Sequence, residues 1–233
     1  MAEQSKTVDT ALSLLTLLAG GDEPPTAASL ARRLGTSRTA VARMLTTLEA
    51  HRLARRTDHG WAPGLGLLAL ASGVEPRLRA LARTELEELA ERFGETAVLT
   101  VREGDDAVAV DQVVGGTGVV QIHYPTGTRH PVEVAASGRA LLAENVAAGV
   151  VFSEGELEPG VRGVAAPVIG AGGRPVASVA LVAPQHRFPP GALVVDAVRD
   201  AAARISRGLA RPDHRAGHPP PQGDRHAVLP QGR

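Results

Sequence analysis

Apolar positions recur every three or four residues through most of the first 93 positions. From residue 95 they switch to short β-rich runs. Residues 7–19 place Val8, Ala11, Leu12, Leu14, Leu15 and Leu18 on one broad face, which predicts an amphipathic helix. Gly20, Gly21, Pro24 and Pro25 stop it. A second helical set follows at Ala27, Leu30, Ala31 and Leu34, with Thr26 as its N-cap and Gly35 as its end. Ser37 caps a third helix, in which Val41, Met44, Leu45 and Leu48 form the stripe. Residues 54–57, the turn Asp58-His59-Gly60 and Trp61 read as a hairpin. The run 63–72 is almost wholly apolar and predicts either a connecting helix or a buried core helix. Over 76–93, Leu78, Leu81, Ala82, Leu86, Leu89, Ala90 and Phe93 mark a further helix that Gly94 ends.

Beyond Gly94 the period is that of strands. Residues 96–102 and 107–114 flank the turn Glu103-Gly104-Asp105-Asp106, and residues 119–124 follow Gly115, Gly116 and Gly118 as a third strand. A loop and short helix occupy 126–143, and strands at 161–169 and 176–183 are joined by residues 170–174. On these strands Val164, Ala166, Val179 and Leu181 alternate with Ala165, Ala180 and Val182, so one set faces helices and the other a pocket or solvent. A closing helix spans 189–209, and 211–233, rich in Pro, Gly, Arg and His, is expected to be disordered. The fold class is α+β: a helical N-terminal domain over 1–62, a linker helix at 63–75, an antiparallel-sheet domain over 76–210 and the tail.

The pair of helices at 27–48 carries the first chemistry. A steep crossing needs a small residue at the contact (Ala31), a flexible turn (Gly35) and an apolar plug from the second helix (Val41), which is the helix-turn-helix pattern. Ser37, Arg38, Thr39, Ala42 and Arg43 fall on the short, polar, cationic face that a major-groove reader presents, and Arg55 and Arg56 ride on the hairpin as a wing. Charge changes the picture here. The whole chain is neutral, with 25 basic and 25 acidic residues, yet Arg32, Arg33, Arg38, Arg43, Arg52, Arg55 and Arg56 stand against Glu49 alone between Leu30 and Thr57, a local balance of +6. A local basic field on a neutral protein is what phosphate binding requires.

This stretch resembles the winged helix-turn-helix of the IclR family of bacterial transcriptional regulators. The resemblance continues through T-G-T-R-H-P-V-E-V-A-A-S-G-R-A-L-L-A at 126–143 and E-P-G-V-R-G-V-A-A-P-V at 158–168. It implies a sequence-specific DNA-binding regulator, expected to repress. The winged domain would be followed by a GAF-like effector-binding domain, with a homodimer or dimer of dimers on double-stranded operator DNA. The loop at 126–143 resembles the family's approach to the effector pocket. There Ser137 and Gly138 are expected to open a helix and offer backbone donors to an anion, although Ser137 as a plain N-cap is an equal alternative. Family members that bind small carboxylates carry Cys or Ser where this chain has Gly163, and serines where it has Ala180 and Val182. Only Arg129 and His130 remain to help the backbone. The implied effector is therefore more apolar than a keto acid, or absent. The bridge at 145–159 is shorter than the family pattern, which favours the alternative of a DNA-binding protein whose second domain only oligomerises or binds a partner.

Composition closes other routes. Cysteine is absent, so there is neither a disulfide framework nor a thiolate metal site. No apolar run is long and charge-free enough for a membrane span and no leader pattern opens the chain, so no membrane partner is expected and the cytoplasm is the expected compartment. For an enzyme the raw material is His123, His130, Asp105, Asp106 and Asp111, without metal-ligand spacing, nucleophile elbow or phosphate loop. Glu85, Glu87, Glu88 and Glu91 read as a solvated helix face, and His214, His218 and His226 as incidental. No enzyme activity, cofactor or metal is expected.

Overall fold

The computed structural model describes residues 5–21, 23–116, 118, 120–142, 149–189 and 191–211. The tail at 212–233, with His214, His218 and His226, lies outside the described residues. The chain forms two compact units, Met1–Pro76 and Arg77–Arg233.

In the first unit α1 (Lys6–Ala19), α2 (Ala27–Arg33) and α3 (Arg38–Ala50) pack around one core of Leu14, Leu18, Leu30, Val41, Leu45 and Leu48. Both predicted caps form: the Thr26 hydroxyl accepts from Ser29 N at 3.2 Å and the Ser37 hydroxyl from Ala40 N at 3.1 Å. Gly35 sits at φ 61°, the left-handed backbone that lets α2 end and the chain turn into α3. β1 (Ala54–Thr57) and β2 (Gly60–Pro63) form the wing, with Trp61 buried against the helices. The Trp61 N–H donates to Pro25 O at 3.0 Å, tying the wing to the lead-in of α2. The apolar run after the wing is α4 (Gly66–Ser72), which has no buried residue; Leu68 and Leu70 are exposed.

The second unit is a six-stranded antiparallel sheet of β3 (Thr96–Glu103), β4 (Asp106–Val114), β5 (Arg129–Pro131), β6 (Val151–Glu154), β7 (Val161–Ile169) and β8 (Pro175–Pro184), in the order β5-β4-β3-β8-β7-β6. Alternation sorts its faces as the pattern predicts. Val164, Ala166, Val179 and Leu181 pack with Leu86, Leu89, Val194, Val198 and Ile205 from α5 (Pro76–Phe93) and α7 (Gly191–Ala210). Ala165 and Ala180, on the other face, pack with Ala136 of the short α6 (Ala135–Arg139) and with its C-cap residue Ala140.

One expectation is corrected here. The strand read at 119–124 does not form over the described positions 120–124, where side chains take the backbone bonds instead. Arg187 Nη2 donates to Val120 O (2.5 Å), Thr96 Oγ1 donates to Ile122 O (2.6 Å), and Tyr124 N donates to Gln112 Oε1 (3.0 Å), while the Gln121 side chain turns back to Gly115 O and Gly116 O. The edge of β4 is taken by β5, which pairs Arg129 with Val108. The shortened bridge contains the edge strand β6, which pairs Ser153 with Gly163. Among the described residues no helix is long and apolar enough to cross a membrane.

Candidate functional site

The first candidate surface is the outer face of α3 with the wing. Ala31 and Val41 are buried where α2 and α3 meet, so the opposite side of α3 is left to solvent, and Ser37, Arg38, Thr39, Ala42 and Arg43 are all exposed there. Thr46 and Thr47 return their hydroxyls to Ala42 O (3.0 Å) and Arg43 O (3.1 Å), which keeps them close to the helix. Arg38 and Arg43 have no ion pair among the described residues. On the wing both arginines are exposed, but as neighbours on one strand they point to opposite faces. Arg55 donates to Pro63 O at 3.2 Å, and the Arg56 guanidinium lies over Trp61, 5.4 Å from the ring centroid. Carbonyl and ring are neutral partners, so each arginine is oriented without losing its charge.

The second candidate is a cavity of about 30 Å³ between α6 and the sheet, walled in part by Thr100, Tyr124, His130, Ser137, Glu156 and Ala180. That volume holds about one water molecule. Of the predicted effector residues, His130, Ser137, Gly163, Ala180 and Val182 line it, whereas Arg129 and Gly138 do not. The reason for Arg129 is the strand period. His130 is buried, so its neighbour points outward, where Arg129 pairs with Glu103 and, at 3.4 Å, with Asp106. Gly138 is a packing residue, since a Cβ there would lie 2.4 Å from Val132 O.

Ser137 does not open α6, nor does it cap it. The N-cap is Val134, and Ser137 is the third helical residue. Its hydroxyl lies 3.2 Å from His130 Nε2, while His130 Nδ1 lies 2.9 Å from Pro131 O. A carbonyl only accepts, so Nδ1 carries the proton and, in the neutral ring, Nε2 accepts from Ser137. Ser178 Oγ donates to Ser137 O at 2.7 Å and anchors α6 on β8.

The wall is more polar than the sequence suggested. Ser153 of β6 brings its hydroxyl to 3.0 Å from where a Gly163 Cβ would stand, so a serine from the neighbouring strand fills the place left bare. Thr100 is buried on β3, and burial, then the charge of Glu158, pushes the Tyr124 phenol up to about 12, so it stays protonated. Glu156 accepts from Ala135 N at 3.2 Å and from both terminal nitrogens of Arg139, which also donates to Phe152 O. The Arg139 side chain is the main cause holding the Glu156 carboxyl below its ordinary range. Sequence reasoning missed Thr100, Tyr124, Ser153 and Glu156. For Ser153 the available signal was the V-V-F-S run of β6, which places it in register opposite Gly163.

Comparison with known proteins bears on both surfaces. Residues 7–58 match the IclR helix-turn-helix domain, and residues 74–147 and 142–207 match the C-terminal domain of bacterial IclR transcriptional regulators. The second match breaks where the shortened bridge begins. Curated relatives include the HTH-type transcriptional regulator KipR of Bacillus subtilis, 27% identical over 251 aligned positions that cover 90% of this chain and 99% of KipR. Another is the HTH-type transcriptional regulator BhcR of Paracoccus denitrificans, 27% identical with 88% of each chain covered. Among solved structures, an IclR transcriptional regulator from Alicyclobacillus acidocaldarius superposes with TM-score 0.75 and 25% identity, over 89% of this chain and all of that one. An IclR homologue from Microbacterium hydrocarbonoxydans complexed with 4-hydroxybenzoate shares the fold, with TM-score 0.76 and 21% identity over 88% of this chain and 99% of its own.

Proposed function

The chain belongs to the IclR family of bacterial transcriptional regulators, and from that premise we propose that α3 reads a specific operator in the major groove and the wing contacts its backbone. The observation that carries this is the exposed, unpaired cationic face of α3 lying directly above the buried Ala31–Val41 crossing. Arg43 and Thr39 meet base edges, Ser37 and Arg38 the phosphates at the helix start, Ala42 allows close approach, and Arg55 and Arg56 flank on the wing. Residues 1–62 are the DNA-binding domain, 63–75 the linker helix and 76–210 the effector-binding and dimerisation domain. The protein acts in the cytoplasm, as a repressor and without catalysis.

A second copy is the proposed partner of the first unit. Leu65, Leu68 and Leu70 are 76%, 69% and 62% exposed around α4, and Val8 and Leu12 are 56% and 58% exposed on α1. Apolar patches of this kind mark protein interfaces. A dimer sets two reading helices about 34 Å or a multiple of that apart on DNA. Sedimentation of the full chain gives the assembly directly, and a monomer at micromolar concentration would remove the dimer from this reading.

A gel shift against the DNA immediately upstream of the protein's own coding region, with random competitor and at two salt concentrations, tests the whole proposal. A discrete complex that survives competitor is expected. Loss equal to competitor, with only a steep salt dependence, would reduce the α3 face to a non-specific basic patch. A second reading, in which the second unit only oligomerises, is favoured by one observation: the 30 Å³ cavity is far smaller than an aromatic acid.

A further inference from the structure

The Glu156 carboxylate is held in the manner of a bound ligand. Arg139 engages it with both terminal nitrogens, Nη2 at 2.9 Å, and the Ala135 N–H donates to it at 3.2 Å. Ala135 is a non-glycine residue at φ 62°, a costly left-handed conformation that aims its N–H at that carboxylate. Glu156 also forms part of the cavity wall, with Glu158 beside it. A small carboxylate entering the cavity would therefore meet two like charges, and the donors there, the Ala135 N–H on the wall and the Arg139 guanidinium behind Glu156, are already engaged.

We propose that Glu156 is an internal surrogate for a carboxylate ligand. It occupies Arg139 and the Ala135 N–H, and so sets this cavity against small carboxylates. This rests on the reading of the cavity as the effector site, and it gives that site a specificity. It differs from an ordinary surface ion pair in having a cavity behind it. Glu154 on β6 bonds Arg162 at 2.6 Å across the neighbouring strand, but neither of them lines the cavity, whereas Glu156 and Ala135 both do.

The test uses the full chain and acetate as the probe, against chloride at equal ionic strength, read by thermal shift and by saturation-transfer NMR of the acetate methyl group. Glu156→Ala should gain saturable acetate binding at millimolar concentration, with a concentration-dependent rise in melting temperature. Wild type and Glu154→Ala should show no more response to acetate than to chloride. Adding Arg139→Gln to Glu156→Ala should abolish the gain. Glu156→Gln, which keeps the side-chain volume and so protects the fold, has a neutral amide that yields Arg139 more readily than a carboxylate, and should also gain saturable acetate binding, weaker than that of Glu156→Ala.

Saturable acetate binding by wild type would overturn the proposal, as would its absence from both Glu156 variants or its persistence without Arg139. Operator affinity is measured separately on the same samples. Acetate bound by Glu156→Ala with no change in operator affinity would leave the surrogate standing and remove the effector reading. Loss of operator binding by wild type would remove the regulator reading alone.

Discussion

The two units place their arginines in opposite ways. In the first, Arg32, Arg33, Arg38, Arg43, Arg52, Arg55 and Arg56 are all exposed, and among the described residues none pairs with a carboxylate. In the second, Arg83, Arg129, Arg139, Arg162, Arg187, Arg199 and Arg204 each meet at least one Asp or Glu within 4 Å. For Arg83, Arg129, Arg187 and Arg204 the leading cause of a raised pKa is that carboxylate hydrogen bond. A guanidinium beside a carboxylate adds little net field at a distance, whereas an unpaired one projects its charge into solvent. The same residue type is thus a fastener in one unit and a free surface charge in the other. The neutral total charge conceals this, as does the near-balance of the first unit itself, because apart from Glu49 that unit's carboxylates lie outside the arginine-rich stretch from Leu30 to Thr57.

Three substitutions separate the roles, from the largest effect downward. Arg187→Ala strands the Glu95 carboxylate, which is 6% exposed and accepts from Arg187 Nε at 2.6 Å, so the melting temperature should fall by roughly 5 °C or more. A fall within error would class this pair with the solvated ones. Arg43→Ala should leave the melting temperature alone and cost about 1–3 kcal/mol of binding at one base pair of the operator. Equal loss on specific and random DNA would move Arg43 from base reading to phosphate contact. Arg55→Ala should weaken all DNA sequences alike and lower the slope of log K against log salt by about 1. An unchanged slope would mean that the bond to Pro63 O holds Arg55 away from phosphate.

What the sequence disclosed follows the range of the interactions. The caps at Thr26 and Ser37, the turn at Gly35 and the β7–β8 hairpin depend on residues within a few positions of one another, and each was legible. The free cationic face of α3 was legible for the same reason, since it needed only a helix period and a charge count. The cavity wall was harder to read. Arg139 and Glu156 are 17 positions apart, and Ser153 reaches Gly163 only because β6 pairs with β7. Their meeting is set by sheet topology, which no local pattern states. The choice between Arg129 and His130 was readable and was missed. Adjacent strand residues face opposite sides, so one of the two had to point away from the cavity. The strand expected at 119–124 failed because Thr96, Gln112 and Arg187 bond its backbone through their side chains, and β-propensity alone carries no information about that competition.

The smallest expected effect tests whether pairing or burial makes the second unit's arginines into fasteners. Arg199 pairs with Asp196 one turn away on α7 at 3.0 Å, and the two side chains are 50% and 66% exposed. Water screens such a pair, and holding two long side chains in one geometry costs rotamer entropy, so exposed pairs contribute about 0–1 kcal/mol. Arg199→Ala should therefore change unfolding stability by less than about 0.5 kcal/mol, since alanine also raises helix propensity slightly. If that holds while Arg187→Ala is severe, burial of the acid decides which pairs fasten the unit. The contrast with α3 is then one of solvation as well as pairing. A loss near that of Arg187→Ala would instead mean that pairing alone suffices. Adding a carboxylate beside Arg43, as in Thr39→Glu, should then raise the first unit's stability measurably even as it abolishes DNA binding.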